Sequence, residues 1–279
     1  METRVFHDPE RFLQAARSYL EDDPFTANVI AVYARGVVEG RRPGGADDIW
    51  MALDDGGEVR GLAMHTPPFN VFLSRMPPPA VVSLARTLAA GGRRPPGVSG
   101  ESQTVRAFTR AWAHHTGCSG RPEVCMRMYR LATLTPPDGV PGRWRPATAG
   151  DVPLVARWLG RFHDEAEPQS PRQDWPALVQ RRVEAGEVVV WESDGDVVSM
   201  AGVSPPALGV CRVGPVYTPP NRRRRGFAAA VTAAASVAGM RAGARHVVLY
   251  TDLSNPTSNR IYRSIGYQAH HDAEQLSFE

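Results

Sequence analysis

Val216-Tyr217-Thr218-Pro219-Pro220-Asn221-Arg222-Arg223-Arg224-Arg225-Gly226-Phe227-Ala228 is the stretch on which the fold turns. Upstream, Val210 to Tyr217 has β-branched and aromatic residues with no acidic breaker, and predicts a strand. Downstream, Phe227 to Ala242 is rich in alanine and predicts a helix. A strand that runs through a tight cationic loop into a helix is suited to bind an anion. The first N–H groups of a helix lack intrahelical partners, and its dipole places partial positive charge there. Gly226 lets the backbone approach a phosphate, Ala228 keeps the first turn small, and the arginines add fork-shaped donors. A basic run is more often a solvated face or a nucleic-acid patch. Here the run is pinned by Pro219, Pro220 and Gly226, which favours a phosphate loop. Not all four arginines need touch a ligand, since Arg222 or Arg224 can face water.

Working outward, His246 to Thr251 predicts a second apolar strand. Asn255, Asn259, Tyr262 and Ile265-Gly266-Tyr267 then mark a closing helix and the strand after it. Arg223-x-x-Gly226-x-Ala228, set in this order of elements, resembles the Arg/Gln-x-x-Gly-x-Gly/Ala signature of the GNAT N-acetyltransferase superfamily. The resemblance covers roughly the second half of the chain, and Arg224 stands where the family often has a glycine. It implies an acyltransferase with acetyl-CoA as cosubstrate, and no metal. The pyrophosphate would lie on Arg223, Arg224, Arg225, Gly226, Phe227 and Ala228. The pantetheine arm would follow Val216, Tyr217 and Thr218, where a bulge in the family splays two strands. A backbone N–H near Val216 would stabilise the oxyanion. Asn255 would cap the closing helix and contact the coenzyme, and Asn259 would reach the pantetheine. Tyr262 is the implied general acid for the departing thiolate. A phenol with pKa near 10 keeps its proton at neutral pH. The plainer reading of Tyr262 is a half-buried aromatic. The amine attacks directly, so no nucleophilic Ser or Cys is needed. No general base stands out among His163, Asp164, Glu165, Glu167, Glu192 and Ser199, each of which also reads as a surface or hairpin residue.

The chain has 279 residues, enough for two domains. Its 32 basic and 29 acidic residues nearly cancel, to a net charge of +3, which does not favour a broad nucleic-acid or membrane surface. Cys118, Cys125 and Cys211 are too few and scattered for a disulfide framework or a zinc site. With no apolar leader and no apolar tract long enough for a bilayer, a cytoplasmic protein is expected.

In chain order the first half predicts helices over 9–20 and 24–33, a hairpin over 49–65, a strand near 70–74, helices over 79–90 and 102–116, and a strand over 124–131. The second half repeats this order. A capping pattern Thr148-x-x-Asp151 opens a helix to Phe162, a helix over 175–184 follows, and a hairpin over 187–203 leads into the arginine loop. The expected fold is α+β, two GNAT-like units in tandem, each a mixed, mainly antiparallel sheet flanked by helices. The domains are residues 1–135 and 143–279, joined by the linker-like Leu134 to Gly142. The first half has Ser74-Arg75-Met76-Pro77-Pro78-Pro79-Ala80 where its phosphate loop should stand. Prolines remove donors there, so that half is expected to have lost the coenzyme site. It resembles the degenerate N-terminal half of tandem GNAT proteins from actinobacteria.

Two functions follow: an N-acetyltransferase acting on a primary amine, of a small molecule or a peptide, or a non-catalytic acyl-CoA-binding or regulatory protein. DNA binding is disfavoured, because Phe227 to Ala242 lacks the basic and amide residues of a recognition helix. The acceptor, the acyl length and a homodimeric state stay open.

Overall fold

The computed structural model describes residues 1–279. In order, the elements are β1 (Glu2–Phe6), α1 (Pro9–Ala15), α2 (Arg17–Asp22), α3 (Asn28–Val38), β2 (Ile49–Asp55), β3 (Glu58–His65), β4 (Val71–Leu73), α4 (Pro78–Ala90), β5 (Gly97–Glu101), α5 (Ser102–Thr116) and β6 (Gly120–Leu131). There follow β7 (Arg143–Pro146), α6 (Val152–Ala166), α7 (Trp175–Glu184), β8 (Val188–Ser193), β9 (Asp196–Val203), β10 (Val210–Tyr217), α8 (Phe227–Arg241), β11 (His246–Asp252), α9 (Pro256–Ser264) and β12 (Tyr267–Phe278). No helix is long and apolar enough to cross a membrane.

Two compact units form. One comprises Met1–Met126 with His271–Glu279, the other Arg127–His270. The long strands β6 and β12 are therefore each divided between them. In the first unit, β1 to β4 pair antiparallel in sequence order, β4 pairs parallel with β5, and the end of β12 pairs antiparallel with β5. In the second, β7 to β10 pair antiparallel and β10 pairs parallel with β11. This is the α+β fold of two like units.

Several local expectations need correcting. The helix over 9–20 is broken at Ala16 into α1 and α2. The helix expected from Pro24 begins at Asn28. Asp23 instead accepts from the backbone N–H and hydroxyl of Thr26, at 3.0 and 2.6 Å, so its carboxylate holds a turn rather than a helix start. The strands β1 and β7 carry no alternating apolar signal and pair at sheet edges. The stretch 134–142 is tied down. Thr135 N–H donates to Ile265 O at 3.1 Å, and Trp191 Nε1 donates to Pro141 O at 2.9 Å.

Each unit has its own core. In the first, Met51, Leu73, Val98, Leu84 and Phe108 pack one face of the sheet against α4 and α5. In the second, α8 lies against Val203, Cys211, Val213 and Leu249 on one face, while Trp158, Leu159, Val179, Met200 and Tyr217 pack the other. α8 is buried nearly all round, as its alanines allow.

Arg145 fixes the start of α6. It grips Asp151 with two nitrogens, at 2.7 and 3.0 Å, and Glu192 with a third at 3.0 Å. Asp151 also accepts from the N–H and hydroxyl of Thr148, and the Thr148 side chain accepts in turn from the Asp151 N–H, which completes the capping box. The Arg145 guanidinium holds the Asp151 carboxyl down at about 2, against 3.8 ordinarily. A carboxyl depressed in the folded state stabilises it above the ordinary value, and that contribution is lost as pH falls through the folded value. Asp151→Asn should therefore unfold at lower urea than wild type above about pH 4. The gap should close towards pH 2, and a gap that stays constant with pH would contradict this assignment.

Candidate functional site

β10 pairs with β11 only through Val210↔His246, Cys211↔Val247 and Arg212↔Val248. On its other edge the register with β9 shifts from Val213↔Val203 to Val216↔Ala201, one extra residue at Gly214-Pro215. A bulge bends its strand and increases the local twist. Beyond Arg212, β10 therefore runs on to Tyr217 without a ladder to β11. The opened edge leads directly into the arginine loop.

The loop presents free donors. Arg222 N–H and Arg223 N–H turn back onto Pro219 O and Pro220 O. The N–H groups from Arg224 to Ala229 meet no protein acceptor, and no side chain caps α8. Gly226, at φ +82°, is the residue before the helix. A Cβ there would also lie 2.7 Å from Val140 Cγ2. Gly226 is thus required by its own backbone and by Val140, whatever it offers a phosphate, and replacing it would not isolate ligand binding. Arg224 has φ +64°, a left-handed conformation that favours glycine.

The arginines divide into two pairs. Arg222 is paired with Asp196 at 2.7 Å. Arg223 donates to Thr218 O at 2.9 Å and pairs with Glu165 at 2.6 Å, so it closes the loop rather than waiting for a ligand. Arg224 and Arg225 form no ion pair, and Arg225 lies over the Phe227 ring at 4.9 Å. Tyr217 is buried, and its hydroxyl donates to Glu165 at 3.0 Å. Thr218 shares a hydrogen bond of 2.8 Å with Ser199. Val216 packs at the edge of the cluster that contains Tyr262.

Tyr262 is buried, and burial pushes its phenol up to about 12, with the Ser258 hydroxyl drawing it down. It holds its proton at neutral pH. Asn255 caps α9 through Ser258 N–H at 3.0 Å and is exposed. Asn259, expected to reach the pantetheine, is buried and bonded within the protein. Its amide donates to Asp252 O and Asn255 O, at 2.8 and 2.7 Å, and its oxygen accepts from Tyr129 at 2.9 Å. Both amide donors are thus spent on backbone carbonyls.

Among the candidate bases, Ser199 is fully buried and bonded to Tyr217 O, and Glu192 is held by Arg145. His163 bonds Ser170 O at 2.8 Å, and Asp164 pairs with Arg172 at 2.6 Å. Glu165 is shared by Tyr217 and Arg223. Only Glu167 has no ion pair or side-chain hydrogen bond. Burial pushes the Cys211 thiol up to about 12, so it is no nucleophile at neutral pH. No group of three or more His, Cys, Asp or Glu is arranged to hold a metal.

The equivalent place in the first unit is closed. β4 pairs with β5 along its whole length, and its register with β3 carries no shift. A Cβ on Gly100 would lie 2.3 Å from Leu73 O, so these strands touch. The loop donors are all used. Ser74 N–H reaches Leu62 O, Arg75 N–H reaches the Thr26 hydroxyl and Met76 N–H reaches the Thr104 hydroxyl. Seven residues after the cap Glu101, where α9 carries Tyr262 seven after Asn255, stands Phe108 without a hydroxyl.

Residues 152–267 match the family model described as Acetyltransferase (GNAT) family. The second unit belongs to the GNAT acetyltransferase family. Structures of other GNAT proteins share the fold over the full chain. An acetyltransferase from the GNAT family from Colwellia psychrerythraea is 11% identical, covers 100% of each chain and has a TM-score of 0.64. A GCN5-related N-acetyltransferase from Sphaerobacter thermophilus is 18% identical, with 98% of this chain and 94% of that one covered, and a TM-score of 0.62. A tandem GNAT protein from the clavulanic acid biosynthesis pathway is 10% identical, with 100% and 98% covered, and a TM-score of 0.60. No curated protein matches the chain.

Two substitutions separate structural from binding roles at the GNAT site. Arg224→Gly relieves a left-handed strain of about 1–2 kcal/mol, partly offset by glycine's own entropy of roughly 0.5–1 kcal/mol. It should raise stability by urea titration yet weaken binding of acetyl-CoA by calorimetry. Stability gained with affinity unchanged would place Arg224 outside the site. Asn259→Ala orphans the Tyr129 hydroxyl and two carbonyls, and should cost about 1–3 kcal/mol of stability with little change in affinity for the folded protein.

Proposed function

We infer that the chain is an N-acetyltransferase, moving an acetyl group from acetyl-CoA to a primary amine at the second unit. The observation that carries this is the opened edge of β10 running into a helix start whose N–H groups are unpartnered. Anionic phosphates suit the N–H groups of Arg224 to Ala229, with Arg224 and Arg225 adding charge. Val216, Tyr217 and Thr218 offer an extended backbone edge along which an amide-bearing arm can pair as an added strand does.

Acetyl-CoA supplies an activated thioester. The amine nitrogen forms the new C–N bond, the C–S bond breaks, and the sulfur leaves as thiolate. In this reading Tyr262 gives that thiolate its proton, and burial keeps the phenol protonated at neutral pH until it does. The amine's own proton leaves to Glu167 or to water. Arg223 and Glu165 keep the loop closed against β10 and act as positioning residues.

Tyr262→Phe keeps the ring and its packing. Acetyl-CoA affinity should stay near wild type, while CoA release with an amine acceptor should fall by roughly 10²–10⁴-fold. The loss should shrink with a thioester whose thiol is more acidic. Unchanged turnover, with chemistry limiting the rate, would assign Tyr262 to packing. Acetyl-CoA binding without CoA release on any class of amine would make the chain a binding protein instead.

A further inference from the structure

The face of the second sheet that packs α6 and α7 carries a guanidinium that the protein leaves unpaired. Arg212 sits mid-strand on β10, half-buried, opposite Ser204. Its backbone is tied to Ser204 twice: Arg212 N–H donates to Ser204 Oγ at 2.9 Å, and Ser204 N–H donates to Arg212 O at 2.8 Å. Cys211 and Val213 point into the α8 core, so by strand alternation Arg212 points to the α6 and α7 side. Its guanidinium makes no ion pair or hydrogen bond, and a half-buried cation without a partner is costly to keep.

Three neighbours define the place. Gly202, diagonal to Arg212 across the ladder, is bare, and a Cβ there would lie 2.8 Å from Arg182 Nη2. Arg182 of α7 thus lays a second guanidinium over Gly202, on the same face as Arg212. Arg182 is itself paired with Glu187, at 3.6 Å. Glu167, at the end of α6, has its carboxyl raised by the protein packed around it and drawn down by Arg212 and then His163, although its side chain keeps solvent contact at the rim. Arg212 lies only two residues before the bulge where β10 opens.

We propose that the acceptor is an amino acid or similar zwitterion, its carboxylate held by Arg212 with Arg182 beside it and its amine directed to Glu167 and the opened edge of β10. This rests on the acetyltransferase reading of the same site. A fork of charged donors suits a carboxylate, and the lone carboxylate at the rim suits an ammonium group. An amine without a carboxylate would leave Arg212 unpaired, and a polycation would also meet a like charge there.

The test is calorimetric titration of the full chain, with and without saturating CoA. The probes are matched pairs: glycine and methylamine, β-alanine and ethylamine, phenylalanine and phenethylamine, lysine and cadaverine. At least one amino acid should bind roughly tenfold or more tightly than its decarboxylated twin, the scale of a charged hydrogen-bonded pair. Arg212→Gln should erase the preference, Arg212→Lys should keep part of it, and CoA affinity should hold in both. Equal binding within every pair, no binding by any amino acid, or a preference that survives Arg212→Gln would overturn the proposal. Failure of CoA to bind wild type would instead count against the acetyltransferase reading, while the titrations without CoA still report on Arg212.

Discussion

β10 keeps only three residues of parallel ladder with β11, because one residue too many lies on its opposite edge at Gly214-Pro215. The other features of the site depend on that mismatch. It leaves a length of β10 backbone without a ladder on its β11 side in the middle of a sheet, where an unpaired edge is normally avoided. The same strand then delivers the chain to the start of α8, whose alanines let the helix pack closely on the sheet. The opened edge and the unpartnered N–H groups are thus consecutive in sequence, a geometry suited to a long ligand with amide groups at one end and phosphates at the other.

The first unit shows what the same fold does without the mismatch. Its β4 is matched on both edges, and hydroxyls of Ser74, Thr26 and Thr104 occupy the backbone around the loop. Met76, next to the loop prolines, is buried in the core. In the second unit the loop side chains are arginines, Arg222 half-buried and the rest exposed, two of them tethered by Asp196 and Glu165 and two without an ion pair. One architecture is closed by local self-satisfaction and the other is held open by lack of it.

Much of this was legible in the sequence. The strand, arginine loop, helix and second strand follow from residue type and order, and Thr148 with Asp151 announced its capping box. The loss of loop chemistry in the first half could be read from Pro77, Pro78 and Pro79. Other features were not legible, for physical reasons. Asn259 can serve a ligand or a protein carbonyl equally well, and only the positions of Tyr129, Asp252 and Asn255 decide. Which arginines stay free depends on carboxylates far away in sequence, at Asp196 and Glu165. The division of β12 between units leaves no mark on its composition, since pairing partners rather than periodicity determine it. Arg212 carried no signal because a single arginine in a strand is unremarkable until its neighbours are placed. The unpaired cation diagonal to a bare Gly202 could have been sought only with the register of β9 and β10 known.

Amide hydrogen exchange, with and without acetyl-CoA, tests the central claim most directly. If the second unit alone takes the coenzyme, exchange should slow at the N–H groups of Arg224 to Ala229 and along Val216 to Thr218. The equivalent loop from Ser74 to Val81 should be unaffected. Protection confined to the first unit's loop, or equal protection of both loops, would contradict it.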